Sequence, residues 1–285
     1  MTTGTTSGDS NSRVSLHLRG GGLFVASVEK AFRVLELFAD SRVELSLSDV
    51  AHRSGIGKSA AQRFLYTLNV LGYLVQDAGS KRYRISSKLL TLSGAYVKAD
   101  MLREKAAAIL EEANRQCEET VNLTILDGTD VVYILRFPSK HVVSVNLSVG
   151  TRLPAFCTAP GRALIANLEP AQIKHMLAKS ELTKMTHLTE TDPQRLEGIL
   201  RQVKKQGYAV SNQEAFIGDI SAAAPVFNED GGVVAAVNIA VPYPRWSLVA
   251  VQRKIIPVVK RVAAEVSGAL GLRRTARGVR KNGLR

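Results

Sequence analysis

Gly55 and Gly57 break what would otherwise read as one helix into two, because glycine loses more conformational freedom in a helix than any other residue. Before them, Ser46-Leu47-Ser48-Asp49 has the serine-then-acid spacing of a capping box, which predicts a short helix through Val50 and Ala51. After them, a second helix is predicted from about Lys58 to Leu71, where Gly72 ends it. Upstream, Val28, Ala31, Phe32, Leu35 and Phe38 recur at helical spacing and predict an amphipathic helix over roughly 25–39 with that stripe buried. Two helices joined by a glycine turn form the helix-turn-helix arrangement.

The helix after the turn divides by face. Phe64, Leu68 and Leu71 follow i, i+4, i+7 and are expected to face the core, with Leu65 and Val70 alongside. Lys58, Ser59, Gln62, Arg63 and Tyr66 occupy the other side, near the amino end, where a DNA-reading helix meets base edges and phosphates. Arg63 suits bidentate contact with guanine and Gln62 with adenine. Lys58 and Ser59 suit phosphate. A surface helix with solvated polar groups would look the same in isolation. The next segment distinguishes them, because Tyr73–Gln76 and Tyr83–Ile85 are strand candidates around an Ala78-Gly79-Ser80 turn. Lys81, Arg82 and Arg84 sit at its tip and return strand. A helix-turn-helix followed by a basic hairpin is a winged helix, its wing lying along the phosphate backbone.

Charge placement agrees. From His52 to Lys88 seven basic residues face only Asp77, a net +6, and the last thirteen residues carry another +6, so +1 of the total +13 remains elsewhere. Two basic patches on a nearly neutral body point to a polyanion partner; the alternative is a solvated tail plus a lysine-rich turn. Gly55-Ile56-Gly57-Lys58-Ser59 resembles the end of a phosphate-binding loop, but that motif needs a glycine where His52 stands and a preceding strand. The longest stretch free of charge, Gly231 to Pro244, is 14 residues, short of the roughly 20 that a membrane span requires. Cys117 and Cys157 are 40 positions apart and fit neither a zinc site nor a disulfide framework. The first 22 residues lack an apolar h-region and are expected to be a flexible arm. A cytoplasmic setting follows.

The run Ala51-His52-Arg53-Ser54-Gly55-Ile56-Gly57-Lys58-Ser59 through Arg63-Phe64-Leu65, then Leu68, Gly72-Tyr73 and the wing, resembles the DNA-binding domain of the IclR family of bacterial transcription regulators. Ala60 and Gln62 stand where members often carry threonine and histidine, departures that bear on operator sequence.

Beyond the wing, 87–97 is predicted as a helix, and a second starts near Asp100 with Leu102, Ala106, Ile109, Leu110 and Ala113 on one side. Strand runs follow at Val121–Leu126, Val131–Phe137 and Val142–Leu147, with an Asp127-Gly128 hairpin signal. Helices are expected over approximately 161–168, 170–178 and 193–206. Strands return at Tyr208–Ser211, Ile220–Phe227 and Gly232–Val241 before a long helix from about Ser247 to Leu270. This is an α+β layout with an antiparallel sheet.

The stretch Gly150 to Leu164 resembles the family's loop into a helix, and Gly207, Ser211, Glu214, Ser221, Ala223, Val226, Phe227 and Asn228 fit its carboxy-terminal signature. Ala222 departs from the usual larger aliphatic, and Ser221 stands where many members have cysteine. The resemblance implies a flexible arm at 1–22, a winged helix-turn-helix domain at 23–86, a linker helix at 87–99, a GAF-like effector-binding domain at 100–272 and a basic tail at 273–285. Thr158 can cap the helix there and Pro160 suits its first turn; free amides at that end would attract a carboxylate, although Pro160 supplies none. By resemblance the pocket adds Ser211, Ser221, Asn238 and the Ala159 backbone, with apolar walls from Val145, Leu147, Leu153 and Phe156.

No His/Cys pairing suited to a metal, no nucleophile elbow and no cofactor loop occurs in the sequence, so no cofactor and no catalytic residue is expected. The implied function is a cytoplasmic transcription regulator that binds double-stranded, pseudo-palindromic operator DNA as a homodimer and answers a small organic acid. Tetramers follow by family analogy, and the first helix and linker region are the expected dimer contacts. One alternative is a small-molecule sensor working through protein partners, which leaves the basic wing unexplained. Another is an enzyme of small-acid metabolism, since Glu214 and Asp219 are close enough in sequence for a carboxylate pair, but nothing beside them supplies a nucleophile or a cofactor loop. The run Leu147 to Pro154 is similar to the branch that regulates aromatic-acid catabolism.

Overall fold

The computed structural model describes residues 23–39, 44–99, 101–141, 145 and 147–271. The expected arm, the basic tail and most of the strand expected over Val142–Leu147 lie outside those residues. The chain divides into two compact units between Ala99 and Asp100.

The first unit contains α1 (Ala26–Glu36), α2 (Leu47–Ser54), α3 (Lys58–Val70), β1 (Leu74–Gln76), β2 (Tyr83–Ile85) and α4 (Leu89–Ala99). The capping box forms: Ser46 Oγ accepts from the Asp49 amide at 3.2 Å, and Asp49 Oδ2 accepts from the Ser46 amide at 2.9 Å. Gly55 ends α2 in the left-handed conformation at φ 69°, which a residue with a Cβ enters only at a cost. β1 and β2 pair antiparallel, and Leu45 bridges to Tyr83 to extend the wing.

Two packing expectations are corrected. The buried row of α3 is Ala61, Leu65 and Leu68, while Phe64 is only partly buried and Val70 and Leu71 are 64% and 50% exposed. The same i, i+4, i+7 spacing recurs one register earlier, where the small Ala61 lets neighbouring helices approach. On α1, Val34 is the buried position, joined by Phe38 just past its end, whereas Val28 and Phe32 are 51% and 59% exposed. Only the carboxy-terminal end of that helix reaches the three-helix core.

The second unit is built from α5 (Met101–Cys117), β3 (Thr120–Asp127), β4 (Asp130–Phe137), β5 (Arg152–Pro154), a 3-10 turn (Ala155–Cys157), α6 (Ala159–Ile165), α7 (Pro170–Lys179), α8 (Pro193–Gln206), β6 (Ala209–Asn212), β7 (Asp219–Phe227), β8 (Val233–Pro242), α9 (Leu248–Ala250), a π turn (Val251–Ile255) and α10 (Ile256–Ala269). Six strands form one antiparallel sheet in the order β5-β4-β3-β8-β7-β6. The two faces of β3 alternate: Val121 and Leu123 pack with α5 and α10, while Asn122 and Thr124 point the other way. The long helix expected from Ser247 widens into its π turn just before Pro257. A proline there has no N–H and its ring crowds the carbonyl four residues back, so the wider turn accommodates it.

Candidate functional site

The amino-terminal unit presents a polar helix face. Lys58, Ser59, Gln62, Arg63 and Tyr66 are all exposed, with Tyr66 68% exposed. Gly57 provides the N-cap of α3 without a side-chain bond, and the first turn holds no acid, so the positive end of the helix dipole is uncompensated. Among the described residues no carboxylate pairs with Lys58, Arg63 or Lys81. Lys81 stands at the wing with φ 58°.

The other two wing residues are held differently. Arg82 turns back: Nη1 donates to the Glu44 carbonyl at 2.7 Å and lies 3.5 Å from Asp49 Oδ2. Arg84 Nε lies 3.9 Å from Glu44 Oε1. Arg82 thus ties the wing to the start of α2, while Lys81 stays free at the tip. Lys88 braces the first unit, donating to the Leu71 carbonyl at 2.7 Å and sitting 4.8 Å over the Tyr73 ring.

The carboxy-terminal unit holds a cavity between the sheet's polar face and α6. About 550 Å³ of empty space lies among its lining residues, part of it open to solvent. Val145, Leu147, Leu153, Ala159, Ser211, Ser221 and Asn238 line it together. Phe156 does not: it is 1% exposed and packs in the core beside α6.

The polar members are tightly held. Ser211 Oγ donates to the Cys157 carbonyl at 2.9 Å, so this hydroxyl fastens the 3-10 turn to β6. Asn238 Nδ2 donates to Ser221 Oγ at 3.0 Å across the β7–β8 pair. Thr158 caps α6, its Oγ1 accepting from the Gly161 amide at 3.2 Å. Pro160 has no N–H, so within the first three residues of α6 only Ala159 can offer an amide to a ligand. That is a thin cradle for a carboxylate.

The cation lies elsewhere. Arg136 on β4 is the basic side chain lining the cavity; Nη1 donates to Asn122 Oδ1 at 3.1 Å and Nη2 to the Val145 carbonyl at 2.7 Å. Burial lowers its pKa from the ordinary arginine value, but a guanidinium retains its charge. Tyr133 and Asp219 share the cavity. Burial pushes the Tyr133 phenol up and the Asp219 carboxyl up to about 7, with the Arg136 charge opposing the latter shift. Burial raises the Cys157 thiol to about 12, so it is an inert packing group.

Arg136, Tyr133 and Asn122 are not singled out by the sequence, and Asp219 stands out there only as a possible carboxylate partner of Glu214, not as a pocket residue. A β-bulge hides the first two. β3 and β4 pair Leu123 with Leu135 but Thr124 with Tyr133, so Ile134 is an extra residue on β4. The two-residue alternation shifts there, which brings Tyr133 and Arg136 to one face despite their odd spacing.

The sequence matches the model of the IclR helix-turn-helix domain over residues 27–78 and that of the bacterial transcriptional regulator IclR C-terminal domain over residues 94–268. It is 33% identical over 236 residues to the Pca regulon regulatory protein of Pseudomonas putida, covering 82% of this chain and 80% of that protein. A solved transcriptional regulator from Rhodococcus sp. RHA1 superposes with a TM-score of 0.75 at 33% identity, covering 87% of this chain and 98% of the other. An IclR homologue from Microbacterium hydrocarbonoxydans, solved with 4-hydroxybenzoate, shares the fold with a TM-score of 0.73 at 23% identity, covering 86% of this chain and 98% of the other. A reader domain with an exposed polar helix and a sensor domain with a small-molecule cavity are joined here in one chain, which belongs to the IclR family of bacterial transcriptional regulators.

Proposed function

We propose that this regulator binds a pseudo-palindromic operator as a homodimer and that a small organic acid entering the cavity lined by Arg136, Ser221 and Asn238 changes its operator affinity. The observation that carries this reading is the presence of a cation and several polar groups in one cavity beside apolar walls. Lys58, Ser59, Gln62, Arg63 and Tyr66 on α3 act as the DNA contacts, with Lys81 at the wing tip. Arg82 and Arg84 add positive charge nearby, but each also has an acidic partner in the protein.

Val25, Val28 and Phe32 leave an exposed apolar stripe at the amino end of α1, which suits a dimer contact. Two-fold pairing would set two copies of α3 one helical turn of DNA apart. The homologue solved with 4-hydroxybenzoate and the named Pca regulator support an acid of catabolism as the effector class. We assign no catalytic role and no cofactor to the chain and place it in the cytoplasm; among the described residues no helix is long and apolar enough to cross a membrane.

The test is a gel-shift titration on promoter fragments from the gene's own locus, with and without a panel of carboxylic acids. The Asn238→Leu, Ser221→Leu double variant is expected to lose its answer to the active acid, judged against its own effector-free operator affinity. A double variant that responds normally would place the effector elsewhere.

A further inference from the structure

Two oxygen acceptors in the effector cavity have no donor. Asn238 is 1% exposed, its Nδ2 is committed to Ser221, and its Oδ1 is buried without a hydrogen-bond partner. Asp219 lies two residues before Ser221 on the same face of β7, and among the described residues no donor reaches its carboxylate. Once ionised, the Asp219 carboxylate can only accept, so above about pH 7 it calls for a donor on the ligand. Of the two, Asn238 Oδ1 is the fully buried one and Asp219 is partly exposed; a buried acceptor left unpaired is costly, and native proteins satisfy nearly all of them.

The cavity's cation does not fill the gap. Arg136 and Asp219 line the same cavity and make no ion pair with each other. The remaining acid in the lining, Glu119, is already taken: Arg245 Nη2 and Trp246 Nε1 donate to it at 2.5 and 2.7 Å. The cavity therefore offers one cation and one carboxylate that a ligand can use, with Leu147, Leu153 and Phe216 in the same lining.

Resting on the reading of this cavity as the effector site, we infer that it takes a bifunctional acid: a carboxylate for Arg136 at one end, an apolar body, and a hydroxyl or amino donor for Asp219 and Asn238 at the other. Asp219 is then the specificity-determining residue. An acid that lacks the donor leaves the buried Asn238 carbonyl oxygen unsatisfied and covers the Asp219 carboxylate without a partner. Sites built around a buried hydrogen bond reject the analogue without it far more strongly than apolar pockets reject a missing methylene.

The experiment uses matched acids with and without the donor: 4-hydroxybenzoate against benzoate and 4-methoxybenzoate, mandelate against phenylacetate, and lactate against propionate. Calorimetric titration of the full chain is expected to show at least one hydroxy acid binding tighter than its donor-less partner by about tenfold or more, equivalent to ~1.4 kcal/mol. Asp219→Asn should bring that pair to within about threefold (~0.6 kcal/mol), and Asp219→Glu should retain part of the preference. Equal binding within every pair, or a preference that survives Asp219→Asn, overturns the assignment. A parallel gel shift separates the two readings: acids that release operator without regard to the donor overturn this inference and leave the effector cavity standing, and no response to any of the acids overturns both.

Discussion

Arg162 and Glu214 form a two-pronged ion pair in the effector domain, with Nη1 2.5 Å from Oε1 and Nη2 2.6 Å from Oε2, and Arg162 is 2% exposed. The same guanidinium donates through Nε to the Phe156 carbonyl at 2.8 Å, and Glu214 Oε2 accepts from the Glu190 amide at 3.1 Å. One buried pair thus fastens α6, the 3-10 turn before it and the segment leading into β7. Removing one partner strands the other charge, so Arg162→Ala or Glu214→Ala should cost about 3–5 kcal/mol. Urea denaturation of the full chain measures it; a loss below about 1 kcal/mol would show that the pair is screened by solvent.

Gly161 is required by proximity. A Cβ there would meet the Ala155 backbone carbonyl and Cα, groups that cannot swing away. Gly161→Ala should destabilise the effector domain by about 1–3 kcal/mol through overpacking. Gly198→Ala in α8, where the nearest obstacle is the far end of a flexible arginine, should be neutral or mildly stabilising. Melting both variants side by side checks the contrast.

Asp219 makes stability depend on pH. Its carboxyl titrates near 7 in the fold against 3.8 for an ordinary aspartate. Below pH 4 both states are protonated. Between about 4 and 7 the unfolded chain gives up its proton first, so folding becomes less favourable as pH rises; above 7 the penalty is constant. The groups facing it are Arg136 and Tyr133 from β4, with Cys157 before α6 and the paired Glu119 in the same region; Arg136 stays charged, and burial raises the Tyr133 and Cys157 groups well above that window. Asp219→Asn should therefore stabilise the effector domain at pH 8 by about 2–4 kcal/mol and have a much smaller effect at pH 5. A stability difference that is the same at both values would refute the shift.

On DNA, Arg63→Ala should weaken specific operator binding by about 1–3 kcal/mol and relax selectivity at one base position. Lys58→Ala should weaken all sequences alike and reduce the salt slope by about 1. Arg82→Ala should instead loosen the wing, because its guanidinium holds the Glu44 carbonyl and approaches Asp49. Gel shifts at two or more salt concentrations separate these three outcomes.

The reader domain was largely legible because its signals are local. The Ser46–Asp49 capping box and the Gly55 turn each lie within one turn of chain, and both form as the sequence predicts. Which apolar row of α3 is buried was less legible: the Phe64, Leu68, Leu71 row and the Ala61, Leu65, Leu68 row share a residue and a period, and only the neighbouring helices select between them.

Most of the helices and strands, the polar face of α3 and the family were legible from short-range periodicity, capping or motif; β5 was not, because three residues carry no alternation to read. The tertiary structure decided what the cavity contains. Ser211, Ser221 and Asn238 were expected there by resemblance, but Arg136 and Tyr133 reach it only through an extra residue in β4. Asp219 joins them through the pairing of β7 with β8. A bulge reverses the alternation and strand pairing joins distant segments, so the charges of the site become neighbours only once the sheet has closed.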